Sequence, residues 1–98
     1  MAGHSKWSEI KRQKGLTERR DLARKASRRI VGRGERPLFR PRLEPDGDFI
    51  LIRIPELEIV TQARHPREVA VMARDLIATW LDVPSDAFDV ELEDAGAT

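Results

Sequence analysis

Charge divides this chain into two parts of opposite sign, and that division limits what it can fold into. Residues 1–42 hold fourteen of the eighteen Lys and Arg against four Asp or Glu, a net of +10. Residues 43–98 hold the other four Lys and Arg against thirteen Asp or Glu, a net of −9. The overall charge of +1 conceals the split. Such asymmetry points to two separate tasks. The basic block attracts phosphates or an acidic protein surface, and the acidic block suits a basic protein. In the alternative reading the two blocks neutralise each other, within one molecule or across a dimer.

The length of 98 residues allows one domain, or one small domain with an arm. Its core is modest, so dimerisation would add stability, and a homodimer is the expected state. No apolar run approaches the roughly 18 residues a membrane helix needs, so no membrane contact is expected. The basic start lacks an apolar stretch behind it and does not read as a secretory signal. There is no cysteine, which excludes disulfides and thiolate metal sites and is compatible with the cytoplasm, the expected location. His4 and His65 are far apart and lack metal-ligand spacing, so neither metal nor cofactor is expected.

The order of elements reads as basic helices followed by β-β-β-α-β. SKWSEIKRQK at 5–14 suits a short helix. Thr17 suits the cap of a longer one over TERRDLARKASRRIV, with Leu22, Ala26 and Ile30 as a narrow apolar stripe and Gly32 and Gly34 at its end. A helix so polar is marginal alone and needs a partner surface. Residues 35–42 look extended, with Pro41 suited only to an edge strand. EPDGD at 44–48 signals a turn, with Asp46-Gly47 suited to a tight hairpin.

DFILIRI at 48–54 is the clearest strand. Ile50, Ile52 and Ile54 share one face, and Phe49, Leu51 and Arg53 share the other. Both faces are apolar enough to be covered. LEIVTQAR at 57–64 reads as the next strand. Pro66 then opens a helix whose apolar face is Val69, Met72, Ala73, Leu76, Ile77 and Trp80, and Pro84 stops it. In AFDVELE at 87–93, Phe88, Val90 and Leu92 alternate with Asp89, Glu91 and Glu93. One helix over one face of a small sheet is a two-layer α+β domain. The expected division is a basic arm at 1–34, the domain at 35–93 and a frayed tail at 94–98.

The stretch DGDFILIRIPELEIVTQAR, then PREVAVMARDLIATWLDVP, then DAFDVELE resembles the short, single-domain HicB-type antitoxins over about residues 46–93. The resemblance rests on a strand ending in Pro55-Glu56-Leu57, a strand ending in Thr61-Gln62, and a helix carrying Glu68-Val69 and Ala73-Arg74-Asp75. That family usually has a glycine soon after the Pro-Glu pair and another after Thr-Gln, where this chain has Glu58-Ile59 and Ala63. The resemblance implies a partial ribonuclease-H-like sheet that is not a nuclease. It implies a cognate partner, a small basic mRNA-cleaving toxin of the HicA type, bound and occluded by the domain. The separate C-terminal DNA-binding module of many relatives has no counterpart after Glu93. A weaker resemblance, Met1-Ala2-Gly3-His4-Ser5-Lys6-Trp7 with Ile10-Lys11, is to the opening of YebC-type regulators, which are transcriptional or ribosome-associated. It covers about eleven residues.

Candidate site residues follow from charge and exposure. Lys6, Lys11, Arg12, Lys14, Arg19, Arg20, Arg24, Lys25, Arg28 and Arg29 form the footprint of a nucleic-acid contact, with little means of reading bases. The same residues could instead face a protein or solvent. Trp7 suits an apolar anchor better than a base-stacking platform. Phe49 and Leu51 are candidate partner contacts unless Leu22, Ala26 and Ile30 cover them. Asp89, Glu91 and Glu93 could meet a basic toxin, or guard an edge strand by charge. No Ser/His/Asp or Cys/His set, phosphate-cradling loop or converging carboxylate cluster is evident, so no catalytic residue is assigned. The expected function is a non-catalytic antitoxin whose arm binds operator DNA. The alternative is a free-standing nucleic-acid-binding or ribosome-associated factor.

Overall fold

The computed structural model describes residues 16–92. The expected helix at 5–14 and the tail lie outside the described residues. The elements are α1 (Leu16–Gly32), β1 (Leu38–Phe39), β2 (Arg42–Asp46), β3 (Phe49–Ile54), β4 (Ile59–Ala63), a 3-10 turn (Pro66–Glu68), α2 (Val69–Leu81) and β5 (Asp89–Val90). Together they form an α+β domain. β2, β3 and β4 make an antiparallel sheet in sequence order, and β1 pairs in parallel with β5.

β2 and β3 meet in a two-residue hairpin, Asp46 opposite Phe49. Gly47 takes φ 65° at the first central position, as a type II′ turn requires. The strand runs through Glu44 and Pro45, which the sequence reading placed in the turn. A proline is tolerated there because β2 is an outer strand and need not donate on its far side. β1 and β2 are separated only by Arg40 and Pro41. Pro41 has no N–H to give, and the Arg40 N–H donates to Glu56 Oε2 at 2.9 Å instead of to a ladder.

The face carrying Ile50, Ile52 and Ile54 meets α2. Ile52, Ile54, Ile59 and Ala63 pack with Val69, Ala73, Ile77 and Leu81, closed by Leu57, Phe39 and Phe88. The two phenylalanine rings meet edge to face, with centroids 5.7 Å apart. α2 opens as its sequence predicts. Pro66 begins the 3-10 turn, and Glu68 Oε1 accepts from the N–H groups of Arg64 and His65. It ends at Leu81, three residues before Pro84. Asp82 turns left-handed at φ 56°, and its N–H and that of Val83 return to Thr79 and Ala78. This is a Schellman ending without glycine.

Three expectations are corrected. Thr17 is not a cap, since α1 already includes Leu16. The final strand is short: Phe88 is buried and Val90 half-buried, but Leu92 is exposed. The apolar stripe of α1 does not cover the second face of β3. Leu22 is 69% exposed and Ala26 is exposed. The face turned inward holds Arg20, Ala23, Arg24 and Ser27. α1 ends in its own Schellman motif. Glu35 N–H bonds Ile30 O, Gly34 N–H bonds Val31 O, and Gly34 takes φ 81°.

Candidate interaction surfaces

The physical reason for the orientation of α1 lies at the end of α2. The last four carbonyls of a helix have no partner within it. Here Ala78 O and Thr79 O are taken by the Schellman bonds, leaving Trp80 O and Leu81 O. Arg24 Nε donates to Trp80 O at 2.6 Å, and Arg28 Nη1 donates to Leu81 O at 3.0 Å. One turn earlier, Arg20 Nε donates to Glu58 O at 2.6 Å. Spacing of i, i+4, i+8 puts Arg20, Arg24 and Arg28 in one row along α1. The negative end of the α2 dipole favours cations there. The Arg24 guanidinium also lies 5.9 Å from the Trp80 ring centroid.

Glu58 is the second half of this contact. It holds φ 53° in the turn between β3 and β4, a conformation that costs an L-residue energy. Its carbonyl is fixed by Arg20 and its carboxylate by Arg19 Nε at 3.0 Å. It belongs to the Glu58-Ile59 stretch where the HicB-type pattern usually has a glycine. The other departure, Ala63, is an ordinary buried strand residue.

Of the ten cations marked for nucleic acid, Lys6, Lys11, Arg12 and Lys14 lie outside the described residues, as do Trp7 and Glu93. Arg19, Arg20, Arg24 and Arg28 are committed to the domain. That corrects the picture of an arm with all its cations outward. Lys25 and Arg29 remain, exposed, one helical turn apart and without a partner among the described residues.

The proposed partner contacts change too. Leu51 is fully buried and cannot touch a partner. Its face of the sheet is occupied by polar side chains. Arg53 Nη2 meets Glu44 at 3.2 Å and Gln62 Nε2 donates to Asp46 at 3.2 Å. Phe49 is half-buried with the Arg64 guanidinium 5.5 Å from its ring centroid, beside a cleft of about 330 Å³ lined also by Asp48 and His65.

Asp89 is held by Arg36 at 2.9 Å, and Glu91 lies 3.8 Å from Arg40. Arg36 further donates to the carbonyls of Asp86 and Phe88. Its hydrogen bond and charge hold the Asp89 carboxyl below the usual carboxylate range, and Asp89 in turn raises the Arg36 guanidinium. The acidic strand is thus matched by cations of its own chain. Arg19–Glu58, Arg28–Asp82, Arg36–Asp89 and Arg40–Glu91 all join the basic part to the acidic part. Neutralisation within one molecule therefore accounts for part of the charge split.

Comparison with protein-family models, curated proteins and solved structures returned no match. Among the described residues, no three His, Cys, Asp or Glu come together as a metal site, and no helix is long and apolar enough to cross a membrane. Arg36 and Arg74 were not marked by sequence reasoning. Arg74 donates to Ser85 O and lies 5.2 Å from the Phe88 ring centroid, fixing the approach to β5. Both act on backbone carbonyls, for which sequence carries no periodic signal. Glu58 left one sign, its place in the Glu58-Ile59 stretch where the resembling family usually has a glycine.

Proposed function

We propose that this chain is a non-catalytic, antitoxin-like binding domain of partial ribonuclease-H-like type. In this reading it occludes a small basic toxin ribonuclease of the HicA type. The observation that carries the reading is Glu58 in the left-handed conformation. The resembling family usually has a glycine soon after its Pro-Glu pair, where this chain has Glu58-Ile59, and a left-handed residue in that turn is what glycine would supply. The element order supports it. Three antiparallel strands and one helix across them keep the core of the expected order, but the observed order is β-β-β-β-α-β: the expected strand at 35–42 is reduced to β1, the expected turn contributes Glu44–Asp46 to β2, and the last strand pairs with β1 in a separate two-stranded sheet.

The toxin contact would use the acidic part of the surface, with Phe49 as an apolar element. Asp89 and Glu91 would share their charge with Arg36 and Arg40. The test is co-expression of the full chain with the small basic protein encoded beside it. A stable complex and protection of mRNA from cleavage are the expected results. A toxic neighbour that neither co-purifies nor is inhibited refutes the reading.

A second reading, contact with operator DNA or another nucleic acid, is favoured by Lys25 and Arg29 on the outward side of α1. Binding to upstream DNA should weaken in Lys25→Ala/Arg29→Ala, with a shallower salt dependence by about two ions. Unchanged binding would remove α1 from that role.

A further inference from the structure

The four cations of residues 43–98, Arg53, Arg64, Arg67 and Arg74, are not used alike. Arg53 is paired with Glu44, and Arg74 donates to Ser85 O. The Arg64 guanidinium has no hydrogen bond or ion pair among the described residues. It lies 5.5 Å from the Phe49 ring centroid. The last ladder pair of β3 and β4 is Ile50–Ala63, so Phe49 and Arg64 are the next residues across, on the face away from α2. Asp48, in the hairpin turn beside Gly47, also has no hydrogen bond or ion pair among the described residues. Asp48, Phe49, Arg64 and His65 line one cleft of about 330 Å³, and the three polar members are exposed. The N–H groups of Arg64 and His65 both go to Glu68 Oε1, which fixes the backbone that carries these two side chains.

An acid and a base that line one cleft without pairing leave it two ends of opposite charge, bordered by an aromatic face. Such a cleft fits a ligand with an anion at one end, hydrogen-bond donors at the other and a flat ring between them. Arg64 and His65, adjacent in sequence, supply several N–H donors for the oxygens of a phosphate. The Arg64 side chain is held over Phe49 by the ring alone, so it can swing to a phosphate and leave the ring to a base. Aromatic side chains hold unpaired bases by stacking. An ionised Asp48 only accepts hydrogen bonds. It repels the phosphate and takes the edge of the base. Guanine presents two adjacent N–H donors on that edge, which one carboxylate accepts together. Uracil presents one, flanked by carbonyls that repel the carboxylate.

We propose that this cleft binds a nucleotide with an unpaired guanine, its base on Phe49, its base edge on Asp48 and its phosphate on Arg64 and His65. The nucleotide is free or part of a single strand. The site lies on the sheet, apart from Lys25 and Arg29 on α1. It shares Phe49 with the toxin surface proposed above but rests on neither earlier reading.

NMR titration of the full chain with guanosine monophosphate should move the amides of Asp48, Phe49, Arg64 and His65. Its dissociation constant should lie about tenfold below those of uridine monophosphate, inorganic phosphate and free tryptophan. With unchanged circular dichroism, Phe49→Leu should weaken binding about tenfold through lost stacking. Asp48→Asn should erase the preference for guanine over uracil, and Arg64→Gln should weaken the nucleotide but not guanosine. A short oligoribonucleotide with one guanine among uracils that binds more tightly than the free nucleotide assigns the site to a strand. Equal affinity assigns it to the free nucleotide. No shift at these amides, or equal affinity for all the small probes, overturns the inference. So does an Asp48→Asn chain that keeps the guanine preference, or a Phe49→Leu chain that binds like the parent.

Discussion

Arg24→Ala tests whether α1 is anchored by its cations. The side chain gives one short hydrogen bond to Trp80 O and lies over the indole. Truncation leaves a helix-end carbonyl without its partner, a loss of about 1–3 kcal/mol for a bond with a charged donor. It also removes a partly shielded cation–ring contact of about 0.5–1 kcal/mol. Partial rescue of the carbonyl by water lowers the total, so about 2 kcal/mol is expected. For a domain of this size that corresponds to a melting shift of roughly 8–16 °C. Urea and thermal unfolding followed by circular dichroism measure it. Lys25→Ala, one residue away on the exposed side, should stay within about 0.5 kcal/mol of the parent. Equal stabilities for the two variants would refute the argument that the inward arginine row seats α1.

The turn at Glu58 makes a second comparison possible. Glu58→Gly and Glu58→Ala both remove the Arg19 partner, but only glycine relieves the left-handed backbone. The glycine variant should be more stable than the alanine variant by about 1 kcal/mol in urea unfolding, and equal midpoints would dismiss the strain. Acid should act on the β1–β5 pair. Asp89 is held below its ordinary range, so its stabilisation is complete above the unfolded carboxylate pKa and is lost as pH falls through the folded value. An NMR titration should show its midpoint rising in Arg36→Gln; an unmoved midpoint would sever that link.

The strands and α2 were legible because apolar periodicity states which side faces the core. Ile50, Ile52 and Ile54 alternate, and Val69, Ala73 and Ile77 recur at helical spacing. The hairpin was legible through Gly47, although β2 extends further into it than a turn-forming Pro45 suggests. The orientation of α1 was not legible. Reading Leu22, Ala26 and Ile30 as its buried stripe assumes that cations point to water. At Arg20, Arg24 and Arg28 that assumption yields to carbonyls left free by a turn and a helix end elsewhere in the chain. The same gap explains the candidate site. Charge identified Asp89 and Arg28 as interacting residues, but charge counts cannot say whether the counterpart is a partner or the chain itself.

The break at Arg40-Pro41 sets an order of assembly. β2, β3 and β4 are joined by connections of two and four residues, so their ladder closes over short loops. The β1–β5 pair joins Leu38 to Asp89, 51 positions apart, and forms only after β3, β4 and α2 have brought those segments together. With the break between them, β1 can separate while β2 stays paired. Native-state hydrogen exchange should therefore find the Asp89 and Glu91 amides, bonded to Pro37 O and Phe39 O, opening well before the amides of β3. The first and last described strands thus form a single latch that loosens while the central meander stays closed.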